Sequence, residues 1–136
     1  MAESDYEEVD HTADWAIRVR GRTLSDLLMH AATAVMELTG TRLAPAPTHR
    51  RTVSLSAPDA ETLLVVWLED LLHAMESRRV GFCQMQVEVT PGWHLKGSIV
   101  EAPVVGLARP IKAVTFHNLA IRPAPFGLET LVVFDV

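Results

Sequence analysis

The sequence predicts a single-domain α+β fold, a mostly antiparallel sheet with two helices packed on it, and three observations carry that prediction. Apolar residues recur at helical spacing in two stretches only; alternating apolar and polar residues precede, separate and follow them; and short segments containing Pro and Gly join the later strands into hairpins. Repeated βαβ units would need a helix between successive parallel strands, and two helices are too few for that. A length of 136 residues, 49% of them hydrophobic and 21% charged, supplies the core of one domain spanning residues 1–136. No internal repeat or low-complexity linker divides it.

Residues 6–20 read as two short extended pieces around a polar kink, His11-Thr12-Ala13-Asp14, with Ala16, Ile17 and Val19 alternating against Arg18 and Arg20. Thr23 with Asp26 three positions on resembles a capping box, and Leu24, Leu27, Leu28, Ala31, Ala32, Val35 and Leu38 keep helical spacing until Gly40 ends them. Pro45 and Pro47 make residues 43–48 a loop that leads into a strand at Thr52–Leu55. Asp59 is a good N-cap for the second helix, where Leu63, Leu64, Trp67, Leu68, Leu71, Leu72 and Met75 form a broad apolar stripe over about five turns. Val80–Val89 and His94–Val100 then read as a hairpin around Pro91-Gly92, and Ala113–Ile121 with Leu128–Phe134 as a second around 123–127.

Composition excludes several functions. No stretch approaches the roughly 20 apolar residues of a membrane span, and an N-terminus carrying Glu3, Asp5, Glu7 and Glu8 is unlike a basic signal peptide, so the expectation is a soluble cytoplasmic protein without a membrane partner. Cys83 is the only cysteine, which rules out an intrachain disulfide and fits a reducing compartment. The formal net charge is −5 and the ten Arg and two Lys form no basic run, while Trp15, Trp67 and Trp93 are not interleaved with basic residues. Direct nucleic-acid binding is therefore not expected. No GxGxxG, Walker, GxSxG or HExxH pattern appears.

Three groups of residues could carry chemistry. Asp10, His11 and Asp14 place two carboxylates and an imidazole within five positions at a kink, either as ligands or as turn residues bonded to nearby backbone. Asp135 follows the apolar run Leu131-Val132-Val133-Phe134 and precedes only Val136. If that run is a core strand, the Asp135 side chain and the Val136 α-carboxylate become two held anionic groups, which suit a hard divalent cation (calcium, manganese or magnesium) better than zinc; otherwise they are a frayed polar end. Lys112, Thr115 and His117 lie at the start of a strand after Pro110, with Thr115 and His117 on one face by strict alternation, and are open to a binding role or a solvated strand end.

Taken together, Asp10-His11-Thr12-Ala13-Asp14 with Gly21-Arg22-Thr23-Leu24, Ile111 to His117, and Val133-Phe134-Asp135-Val136 resemble the archease family over the whole chain. Two departures are visible: Phe116 stands where a Tyr is common, and Trp15 where many relatives have a smaller residue. The resemblance implies a non-enzymatic accessory protein of tRNA splicing and RNA repair that promotes guanylylation and turnover of an RtcB-type RNA ligase through a transient complex. It also implies one divalent cation held by Asp14, Asp135 and the Val136 carboxylate. Lys112 matches a lysine of the family's motif, which could meet a phosphate or an acidic group of the ligase; His117, His11 and Asp10 are weaker candidates for such contacts. The rival readings are a metal-dependent hydrolase or phosphotransferase using His11 or His117 as base, and a chaperone or adaptor with no metal role.

Overall fold

Along the chain the elements are β1 (Tyr6–Val9), β2 (Trp15–Gly21), α1 (Leu24–Leu38), β3 (Arg42–Leu43), β4 (His49–Ser56), α2 (Ala60–Ser77), β5 (Val80–Thr90), β6 (His94–Gly106), β7 (Ala113–Thr115), β8 (Arg122–Ala124) and β9 (Gly127–Asp135). They come from a computed structural model that describes residues 5–9, 15–45 and 49–136.

Both helices begin where their caps predict. The Thr23 hydroxyl accepts the Asp26 N–H at 3.1 Å, and the Asp59 carboxylate accepts the Thr62 N–H at 2.7 Å, each satisfying a donor that the first helical turn leaves open. The bond to Thr62 also holds the Asp59 carboxyl below its usual value. Thr39 caps α1 and Gly40 follows at φ 63°, the left-handed conformation in which glycine is least strained. The predicted stripes are the buried faces: Leu27, Leu28, Ala31, Ala32 and Val35 of α1 meet Leu63, Leu64, Trp67 and Leu68 of α2 in one core. Trp67 is fully buried, and its indole N–H donates to the Leu28 carbonyl at 2.8 Å, so its polar atom is satisfied inside that core.

All strand pairs among the described residues are antiparallel, and they form two sheets rather than one. In the first, β9 pairs with β2, β7 and β8, and β1 lies outside β2; in the second, β6 pairs with β3, β4 and β5. Both helices pack against strands of these two sheets. Alternation marks which residues are extended but not which strands they meet, and pairs such as His49 with Glu101 or Trp15 with Phe134 are distant in sequence.

The hairpin around Pro91-Gly92 is present and longer than expected, its second strand running on to Gly106. Gly97 in that strand faces so closely packed a neighbour that a Cβ there would lie 2.1 Å from the Gln86 carbonyl oxygen. The second hairpin differs. Its first arm was expected to run from Ala113 to Ile121, but the strand ends at Thr115, turns with the Leu119 N–H on the Phe116 carbonyl and Asn118 at φ 52°, and returns to β9 as the separate strand β8. A residue held in the left-handed region cannot continue a pleated strand, so the alternation that put Thr115 and His117 on one face stops at Thr115.

One buried charge joins the second sheet to α2. Glu101 is 2% exposed on β6, where its carboxylate accepts two bonds from Arg78 at 2.9 Å, one from Arg51 at 3.0 Å, and lies 2.9 Å from His49 Nε2. Arg51 also reaches Asp70 on α2 at 2.9 Å. Burial alone would push the Glu101 carboxyl up; the bonds from Arg78 and Arg51, with their charges, outweigh it and hold it below the usual carboxylate value.

Candidate functional site at the end of the central strand

β9 is the strand most firmly held in the first sheet. Val132, Val133 and Phe134 are buried, with β2 on one side and β7 on the other. The change at Asp135 is abrupt: Asp135 and Val136 are exposed. Asp135 still pairs with Ala113, and its carbonyl accepts the Lys112 N–H at 2.8 Å, so its backbone is fixed where its side chain reaches solvent. No Lys, Arg or His side chain forms an ion pair with Asp135 among the described residues. A held, solvent-facing carboxylate without a cationic partner is a hard oxygen donor available to a divalent ion such as calcium, magnesium or manganese.

Beside this strand end, Trp15 opens β2 opposite Phe134. The Arg109 guanidinium lies 3.5 Å over the Trp15 ring, and its side chain also meets Glu8 at 3.6 Å. The backbone N–H of Arg109 donates to the Thr39 carbonyl at 3.0 Å, which fixes the segment between β6 and β7 against the end of α1. The residue that departs from the common pattern thus has a stacking partner that nothing in the sequence indicates.

The remaining candidates are distributed differently. Asp10, His11 and Asp14 lie outside the described residues. Lys112 is exposed and adjoins Asp135 through its backbone. His117 lies beyond Thr115, which pairs with Val133, and so belongs to the turn after β7 and not to the Asp135 end. Its N–H donates to the Thr115 hydroxyl at 3.3 Å, that hydroxyl donates to the Val133 carbonyl at 3.0 Å, and the ring meets the Asn118 amide at 3.3 Å. Among the described residues no three His, Cys, Asp or Glu side chains gather as a metal cluster. Cys83 is exposed in a bulge of β5 with its thiol 3.4 Å from the Val100 carbonyl. No helix is long and apolar enough to cross a membrane among the described residues.

Comparison with known proteins gives a consistent result. The archease protein family (MTH1598/TM1083) matches residues 6–136. Among curated relatives, the protein archease of Pyrobaculum neutrophilum is 32% identical, covering 88% of this chain and 86% of the relative. That of Methanosarcina barkeri is 30% identical over 96% of this chain and 95% of the relative. Among solved structures, an archease from Thermotoga maritima described as a possible chaperone superposes with a TM-score of 0.72 at 23% identity, covering 100% of this chain and 98% of the other. The solution structure of protein 1598 from Methanobacterium thermoautotrophicum gives 0.71 at 24% identity, covering 97% and 99%. These two structural likenesses establish the fold.

Proposed function

This chain belongs to the archease family, and from that premise we propose that it is a metal-binding accessory protein that activates an RtcB-type RNA ligase in tRNA splicing and RNA repair. In this reading it promotes ligase guanylylation and multiple turnover, performs no catalysis itself, works in the cytoplasm, and leaves the ligase before RNA is joined.

The observation that supports the reading is the end of β9, where three buried residues hold an exposed carboxylate at Asp135. We assign one divalent cation, calcium or else manganese or magnesium, to Asp14, Asp135 and the α-carboxylate of Val136. Asp14 directly precedes Trp15 in the sequence, and Trp15 pairs with Phe134, the neighbour of Asp135. An all-oxygen donor set fits these ions, and a cation between three carboxylates would relieve the mutual repulsion that otherwise favours their protonation. The ion would supply a positive centre at the tip of an acidic protein. This chain's own residues hold the tip rigid through the ladder around Asp135 and present Lys112 beside it as a cation for a phosphate or an acidic ligase group.

Two measurements test the proposal. Calorimetric titration with calcium and with manganese is expected to show one site that Asp135→Asn or a C-terminal tag removes while the circular dichroism stays unchanged. Multiple-turnover ligation by the cognate RtcB-type ligase, with this protein substoichiometric, is expected to be stimulated by the wild type and not by Asp14→Ala. Stimulation by both proteins would sink the metal role and leave an adaptor; stimulation by neither would sink the ligase role.

A further inference from the structure

Next to the Asp135 tip, on the side of Lys112, the surface opens into a cleft of about 410 Å³ between the last turns of α2, the end of β6 and the segment leading to β7. Its walls are mainly apolar, with Leu72 and Met75 from α2 facing Val104 and Leu107, and Leu107 is 41% exposed. Arg79 and Lys112 bring two cations to this cleft against the single carboxylate of Glu76. Neither cation has a side-chain partner among the described residues. On a chain of net charge −5 a cleft with a positive balance is a local reversal.

Arg79 adds an independent observation. It follows α2 at φ 55°, a left-handed conformation that costs a non-glycine residue stability and is normally filled by Gly just after a helix. Its carbonyl takes the Val104 N–H at 2.7 Å, so the strained backbone is locked between α2 and β6. Glycine would serve the turn better, yet an arginine occupies it, at the rim of the cleft. Trp93 and Asn118 share this backbone region, so the strain alone assigns no role; what sets Arg79 apart is that its strained backbone places a cation at the rim of an apolar cleft.

We propose that this cleft is a docking groove for a segment of the partner protein that carries apolar side chains next to carboxylates. The apolar walls would take the partner's apolar side chains, while Arg79 and Lys112 pair with its acids, and Lys112 joins the groove to the Asp135 tip. An acidic partner segment is favoured over an apolar one because burying two unpaired cations under a neutral surface would be costly. The proposal rests on the reading that the partner is an RtcB-type ligase, and it says which face of this chain holds it.

The test compares binding of the cognate ligase to wild type, Arg79→Gly and the double variant Arg79→Gly with Lys112→Gln, by calorimetry at low and at physiological salt. Arg79→Gly is expected to leave the melting temperature unchanged or raised, because the left-handed position is then relaxed, yet to weaken the ligase complex by about tenfold, with the double variant weaker still and less salt-dependent. Calcium and manganese affinity of Arg79→Gly should match wild type. If the wild type binds the ligase and both variants bind it equally well, the groove is overturned while the ligase reading stands. If the wild type does not bind the ligase, that reading fails and the groove fails with it. An acidic-apolar peptide derived from the ligase that competes for the wild type and not for Arg79→Gly would locate the occupant.

Discussion

At the scale of single residues, the charge that matters most to the fold is Glu101, a carboxylate 2% exposed and held by Arg78 and Arg51. Changing Glu101→Gln leaves those guanidiniums around a neutral group and is expected to cost on the order of 3 kcal/mol, read from urea unfolding at neutral pH. The same residue sets a pH dependence. Its carboxyl is depressed in the folded protein, so its contribution is complete above the unfolded value of 4.5 and is lost as the pH falls through the depressed folded value. Wild type should therefore lose stability on acidification more steeply than Glu101→Gln, in melting temperatures measured from pH 6 downward. Arg109 over Trp15 is a smaller effect: Arg109→Ala is expected to cost about 0.5–1 kcal/mol and to change the Trp15 fluorescence contribution.

At the scale of elements, the helices are set by local chemistry and the sheets by packing. Thr23→Ala removes the acceptor for the Asp26 N–H and should destabilise by about 1 kcal/mol in a thermal melt. Gly97→Ala should cost more, about 2–3 kcal/mol, because its Cβ would press into the β5 backbone, which cannot move independently. The contrast explains what the sequence made legible. Both helices were readable from Thr23, Asp59 and their apolar stripes, and the β5–β6 hairpin from Pro91-Gly92, because those signals lie within a few residues of the structure they cause. The split of Ala113–Ile121 into two strands depends on a left-handed Asn118, and the assignment of strands to two sheets depends on pairings across the chain; neither leaves a local periodic mark. The candidate site was legible in part for the same reason. Asp135 stood out as a charge after an apolar run, whereas no local pattern marks the left-handed backbone of Arg79, and the Glu101 network joins residues from β4, α2 and β6 that no short motif connects.

At the scale of the whole molecule, the arrangement separates a packed body from an exposed edge that carries the candidate site. The core lies between the helices and two sheets, while Asp135, Val136, Lys112 and the cleft beside them gather at one end of the first sheet. Binding an ion at that end should stabilise the whole fold by mass action, since an unfolded chain holds no assembled site. Calcium or manganese is therefore expected to raise the melting temperature of wild type and not of Asp135→Asn, measured by differential scanning fluorimetry with and without a chelator.

The pairing of β2 with β9 has a kinetic consequence. Arg20 and Glu129, joined across these strands at 3.0 Å, are 109 positions apart, and both helices and the entire second sheet lie between them. Closing so long a loop costs entropy before any contact rewards it, so the helices and the β5–β6 hairpin are expected to form first and the β2–β9 seam last. Asp135 itself is held from the β7 side by Ala113 and the Lys112 N–H, but the proposed ion site also draws on Asp14, which directly precedes β2 in the sequence, so competence to capture an ion should emerge in refolding with the slowest phase, and a stopped-flow metal indicator would time the completion of the fold.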